Sequence, residues 1–183
     1  MKKYIFILLL TFIILANAAA QQANAAEISF NFTRQSGSAS NQYAIWIEDA
    51  KGQLIKTLYV VRWTANGGFK TRPTSIPMWV KKSDVANISK AQLDVISSAT
   101  PRTGALTYTW DGTDSKGVAV PAGDYILVLE GTLRWENQVY YRAPIALGKG
   151  AAAAQVNVEY VSGDRDTTAE RAMFSDVKVR VLR

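Results

Sequence analysis

Short runs in which apolar and polar residues alternate dominate this chain. In Glu27-Ile28-Ser29-Phe30-Asn31-Phe32 every second side chain is apolar, the period of a strand with one buried face. Tyr43–Ile47 and Leu54–Val61 read as two strands joined at Glu48-Asp49-Ala50-Lys51-Gly52-Gln53, where Asp and Gly supply turn chemistry. Further strands are predicted at Ala105–Trp110, Tyr125–Leu133, Val139–Leu147, Ala154–Val161 and Val177–Leu182. About eight strands separated by turn residues indicate an all-β fold, an Ig-like or fibronectin-like β-sandwich. One segment departs from the strand period. Lys82–Ile96 carries Val85, Ile88, Leu93 and Ile96 near helical spacing, and Ser89 precedes Gln92 as in a capping box, so one short helix is expected there. Trp63–Pro77, rich in Gly, Thr and Pro, reads as a long loop excursion from the sandwich, where function tends to reside.

The amino-terminal pattern is different. Lys2 and Lys3 precede an uncharged apolar run, Tyr4–Leu15, and a small-residue stretch follows from Ala16 to Ala26. This is the order of a secretory signal, and the run is shorter than the ~20 residues a membrane span requires. Cleavage sites compete after Ala18, Ala20 and Ala25, and we expect 1–25 to be the signal and 26–183 a single domain exported to the periplasm. The full chain carries net charge +6; without its two signal lysines the balance is 19 basic against 15 acidic residues. The basic residues are scattered, which fits a solvated surface and no nucleic-acid partner. With neither histidine nor cysteine, the chain has no Ser-His-Asp or Cys-His nucleophile, no imidazole or thiolate metal site and no disulfide. Oxygen-ligand cations, carboxylate chemistry or a carried cofactor remain. A hydrolase is disfavoured, since Glu48 and Asp49 are adjacent on a strand and point to opposite faces.

The most distinctive turn-rich segment is Trp110-Asp111-Gly112-Thr113-Asp114-Ser115-Lys116-Gly117-Val118-Ala119-Val120-Pro121-Ala122-Gly123-Asp124-Tyr125. It resembles the W-D-G-x-D-x-x-G-x-x-V-P-x-G-x-Y hairpin of the immunoglobulin-like domain in flagellar hook-capping proteins. Trp110 and Tyr125 end and begin adjacent strands and are expected in the core. Asp111, Asp114 and Asp124 admit two readings, turn caps or ligands of a hard cation, and capping is preferred, with no metal assigned. The wider order, Ile45–Asp49, Leu54–Leu58, Leu93–Thr100 and Trp110–Tyr125, resembles the predicted periplasmic proteins of the DUF2271 family. That resemblance implies a redox or metal-uptake context, near PepSY-type membrane proteins and a periplasmic flavin transferase.

Within this span, Asp94-Val95-Ile96-Ser97-Ser98-Ala99-Thr100 resembles the acceptor sequence of periplasmic flavin transferases, D-x-x-[ST]-[GS]-A-T. The resemblance implies covalent FMN on Thr100 through a phosphoester, with Asp94 needed for attachment and Ser97, Ser98 and Ala99 forming a small, open segment for the transferase. Pro101 disfavours the helical region for Thr100, so an extended, outward-facing hydroxyl is expected. Trp63, Phe69, Trp79 and Trp110 are either stacking surfaces for a flavin or core residues, the latter preferred. The expected function is a periplasmic electron carrier bearing FMN, exchanging electrons with a membrane redox protein of PepSY type. The alternative is a non-catalytic Ig-like binding or assembly module.

Overall fold

The computed structural model describes residues 25–36, 41–163 and 173–182. The candidate signal and its cleavage sites lie outside these residues, except Ala25, which opens the first strand. The strands are β1 Ala25–Phe32, β2 Gln42–Asp49, β3 Leu54–Val61, β4 Ser97–Ser98, β5 Gly104–Trp110, β6 Gly123–Thr132, β7 Gln138–Leu147, β8 Ala152–Ala154, β9 Asn157–Val161 and β10 Phe174–Leu182. They form a four-stranded sheet, β5-β1-β10-β8, and a six-stranded sheet, β4-β3-β2-β6-β7-β9. The sandwich expected from the alternating pattern is therefore present.

Period-2 residues fill the space between the sheets. In β1 the alternate residues Ala26, Ile28, Phe30 and Phe32 are buried. Phe30 meets Tyr43 of β2 and Phe174 of β10 edge-on at centroid distances of 6.2 and 5.3 Å, and Tyr43 stacks on Tyr59 of β3 at 4.7 Å. In β2 both faces are buried, which explains its unbroken apolar run Tyr43–Ile47. Its second face lies under the segment after β3.

That segment is more ordered than a loop. Thr64–Gly68 forms a helical turn kinked at Asn66 and Gly67, and helix α1 spans Pro77–Ser83. Polar groups fasten it to the outer face of the six-stranded sheet. Glu130 of β6 accepts from the backbone N–H groups of Met78 (3.0 Å) and Trp79 (2.7 Å), and Ile76 N donates to Thr132 Oγ1 at 2.7 Å. Trp79 is fully buried and donates from Nε1 to Thr57 Oγ1 at 3.0 Å. Lys82 pairs with Glu48 at 2.9 Å, fixing the far end of α1 to β2. Ile76 is held at φ 42°, ψ 59°, a strained conformation for a β-branched residue before proline, which these anchors sustain.

Two expected elements are divided. The segment Lys82–Ile96 is not one helix. Asp84, left-handed at φ 51°, ends α1; a single turn, Val85–Asn87, follows; helix α2 then spans Lys90–Ile96. The expected capping box starts α2, with Ser89 Oγ accepting from Gln92 N and Gln92 Oε1 accepting from Ser89 N. The expected strand Ala154–Val161 splits between sheets, β8 pairing with β10 and β9 with β7. A local sequence pattern cannot report such a crossover, because the sheet each half joins is set by long-range pairing.

Candidate functional site

The acceptor-like segment runs from α2 into a strand. Asp94 lies exposed on α2 and pairs with Lys90 one turn earlier at 2.7 Å. Helix α2 ends at Ile96, and Ser97 is extended at φ −110°, ψ 141°, its N–H returning to Leu93 O. Ser97 and Ser98 then form β4, pairing parallel to β3 with Val60 opposite Ser97 and Val61 opposite Ser98. Ser97 is buried, and its Oγ has no hydrogen-bond partner. The open segment expected from the sequence is thus limited to Ser98 and Ala99, which are exposed. Tyr59 of β3 donates to Ala99 O at 3.2 Å. Burial, then the neighbouring Tyr108, raises the Tyr59 hydroxyl above the usual tyrosine range, so it remains a donor.

Parallel pairing sends both chains out at the same end of the sheet. After Val61, β3 continues into Arg62 and Trp63; after Ser98, β4 continues into Ala99 and Thr100. Between them opens a cleft of ≈ 620 Å³ lined by Arg62, Trp63, Asn66, Gly67, Gly68, Thr71, Ala99 and Thr100. Thr100 is half-buried on its wall. Trp63 is 43% exposed, whereas Trp79 and Trp110 are fully buried core residues and Phe69 is half-buried outside the cleft lining. Arg62, exposed, adds a cation. Sequence reasoning did not reach Arg62, Asn66, Gly68 or Thr71. Their only signal was membership of, or adjacency to, the Gly- and Thr-rich stretch after β3.

Two of the three hairpin aspartates, Asp111 and Asp114, are engaged as turn caps. Asp114 accepts from the N–H groups of Lys116 (2.8 Å) and Val118 (2.9 Å). Asp111 accepts from Thr113 N and Oγ1 and from Lys56 Nζ at 2.8 Å. Partial burial opposes ionisation of Asp111, but Lys56 and Thr113 outweigh it and hold the carboxyl below its ordinary range. Asp124 lies apart from both caps, facing Lys149 at 3.4 Å.

The structure is an all-β sandwich of two sheets with a cleft at the end of the six-stranded one. The chain belongs to the family described as "Predicted periplasmic protein (DUF2271)", which matches residues 23–164. Periplasmic location agrees with the export signal read in the sequence. Among the described residues, no helix is long and apolar enough to cross a membrane. No match was found among curated proteins. Among solved structures, the chain is similar to truncated FlgD (monoclinic form) from Helicobacter pylori, with 20% identity over 80% of this chain and 87% of that chain at a TM-score of 0.34. Another truncated FlgD structure from that organism aligns at 16% identity over 79% and 86% of the two chains, also at 0.34.

Proposed function

We propose that this protein is a periplasmic redox carrier bearing FMN on Thr100 through a phosphoester. The observation that carries the reading is that Thr100, the last residue of the acceptor-like segment, lines the same cleft as the exposed Trp63. The residues fit the group. A cleft of ≈ 620 Å³ lies within the roughly 300–1,000 Å³ of small-molecule sites, and its lining offers an indole surface and a guanidinium of charge opposite to a phosphodiester. Thr100 would hold the phosphate covalently, with Arg62 the cation available to it. The flavin supplies electron-transfer capacity of its own, so a chain without histidine or cysteine need only bind and orient it.

Attachment is a phosphoryl transfer. Thr100 Oγ1 would supply the oxygen of the new ester bond to the FMN phosphorus, delivered as a dinucleotide anhydride whose P–O–P bond breaks to release the nucleoside monophosphate, while the hydroxyl proton passes to a base. A periplasmic flavin transferase is the proposed partner for this step, and Asp94 the carboxylate it requires. A membrane redox protein of PepSY type is the proposed electron partner.

Coexpression of the exported protein with an active flavin transferase should give an intact mass raised by one FMN ester, with flavin fluorescence that stays with the denatured chain. Thr100→Ala should abolish both. Asp94→Ala should reduce labelling strongly while changing stability by no more than about 0.5 kcal/mol, since an exposed i,i+4 ion pair contributes little. An unmodified wild-type chain would overturn the carrier reading in favour of a non-catalytic binding or assembly module.

A further inference from the structure

Gly68 follows a kink, yet its own backbone is ordinary right-handed helix at φ −57°, ψ −26°, so glycine is not needed there for conformational freedom. The need is space. A methyl group at Gly68 would overlap Cδ2 and Cε3 of the Trp63 indole and come within 2.6 Å of the Trp63 carbonyl oxygen. The indole therefore rests directly on the Gly68 backbone, in contact that any larger residue would break. Gly67, at φ 101°, makes the reversal that brings Gly68 back beneath Trp63. An isolated exposed aromatic is ordinary on a protein surface. Here, however, the ring is fixed in position, remains 43% exposed, and is, among the described residues, the one aromatic side chain lining the cleft that holds Thr100.

We infer that Trp63 is the stacking platform for the isoalloxazine ring tethered at Thr100, and that Gly68 is a positioning residue that holds the indole ready. This rests on the carrier reading above and adds to it the place where the ring resides. A flat, tricyclic, electron-poor ring is the chemistry an indole face recognises best, and a pre-fixed indole loses little conformational freedom on stacking. Of the other aromatics singled out in the sequence, Trp79 and Trp110 are fully buried and Phe69 lies outside the cleft lining.

Tryptophan in stacking contact quenches flavin emission by excited-state electron transfer, so the platform has its own readout. The experiment uses the exported full-length protein labelled by coexpressed transferase, with the FMN adduct verified by intact mass before any optical measurement. Native wild-type adduct should emit several-fold less than the same sample after denaturation. Trp63→Leu should retain the adduct mass and the wild-type circular dichroism while native emission rises to near the denatured level. Trp63→Phe should fall between them. Gly68→Ala should reproduce part of the Trp63→Leu effect with the tryptophan still present, and if that variant fails to fold, the two Trp63 variants carry the test. Full adduct mass with native emission unchanged by Trp63→Leu would overturn this inference and leave the carrier reading standing. Absence of the adduct from the wild-type chain would overturn both.

Discussion

Glu130 is a fully buried carboxyl at the junction between the sandwich and its helical cover. Burial opposes its ionisation and outweighs the Met78 and Trp79 amides, the Tyr140 hydroxyl and the Arg142 cation, so its carboxyl is pushed up to about 7. Between the ordinary value of 4.5 and about 7, the folded chain holds a proton that the unfolded chain has released. Its contribution to stability is therefore complete below pH 4.5 and lost as pH rises through about 7. Denaturant titrations at pH 5 and pH 8 should show wild-type stability falling by on the order of 2–3 kcal/mol, and Glu130→Gln should flatten that difference. Trp110 illustrates the opposite case, a buried side chain that is neutral and satisfied. Its ring meets Tyr125 at 5.2 Å and its Nε1 donates to Thr113 O at 2.7 Å. Trp110→Ala should cost about 3–5 kcal/mol in a denaturant titration at neutral pH. Glu130 had a visible mark in the sequence, a lone carboxylate inside the apolar run Tyr125–Leu133; its partners did not, because Met78 and Trp79 arrive from a distant segment.

β4 is the element on which the candidate site depends. Two residues make a weak strand, and its place is secured from both sides, by the capped helix α2 before it and by the Tyr59 hydroxyl on Ala99 O after it. The side chain at Ser97 contributes no bond, since its buried Oγ is unpartnered. Ser97→Ala should therefore leave stability unchanged or raise it, because removing an unsatisfied buried hydroxyl removes a desolvation cost of roughly 1–3 kcal/mol. Thermal unfolding of that variant checks this directly, and a lowered midpoint would mean that the hydroxyl is bonded in solution. The capping box of α2 was legible because Ser89 and Gln92 are local. The end of α1 was not: Asp84 adopts a left-handed conformation within a run that reads as continuous helix.

At the scale of the whole molecule, the inner faces of the two sheets share one aromatic core. Phe30, Phe174 and Tyr108 from the four-stranded sheet interleave with Tyr43, Tyr59 and Tyr141 from the six-stranded sheet. The sandwich should therefore unfold as one unit, with near-ultraviolet and far-ultraviolet circular dichroism giving coincident denaturant transitions. Separate transitions would show that one sheet survives the other. The period-2 alternation, the turn residues and the strand-end aromatics Trp110 and Tyr125 were enough to read the all-β sandwich from the chain, since each is a property of neighbouring residues. The absence of histidine and cysteine likewise limits the chemistry open to the chain, and it is a property of composition alone. Tertiary structure decided the rest. No local pattern sets Val61 beside Ser98, turns Gly68 under Trp63, or divides β8 from β9 between sheets. Those arrangements follow from long-range register and from which faces must be buried together, and they bring Trp63 and Thr100, far apart in sequence, to a common cleft.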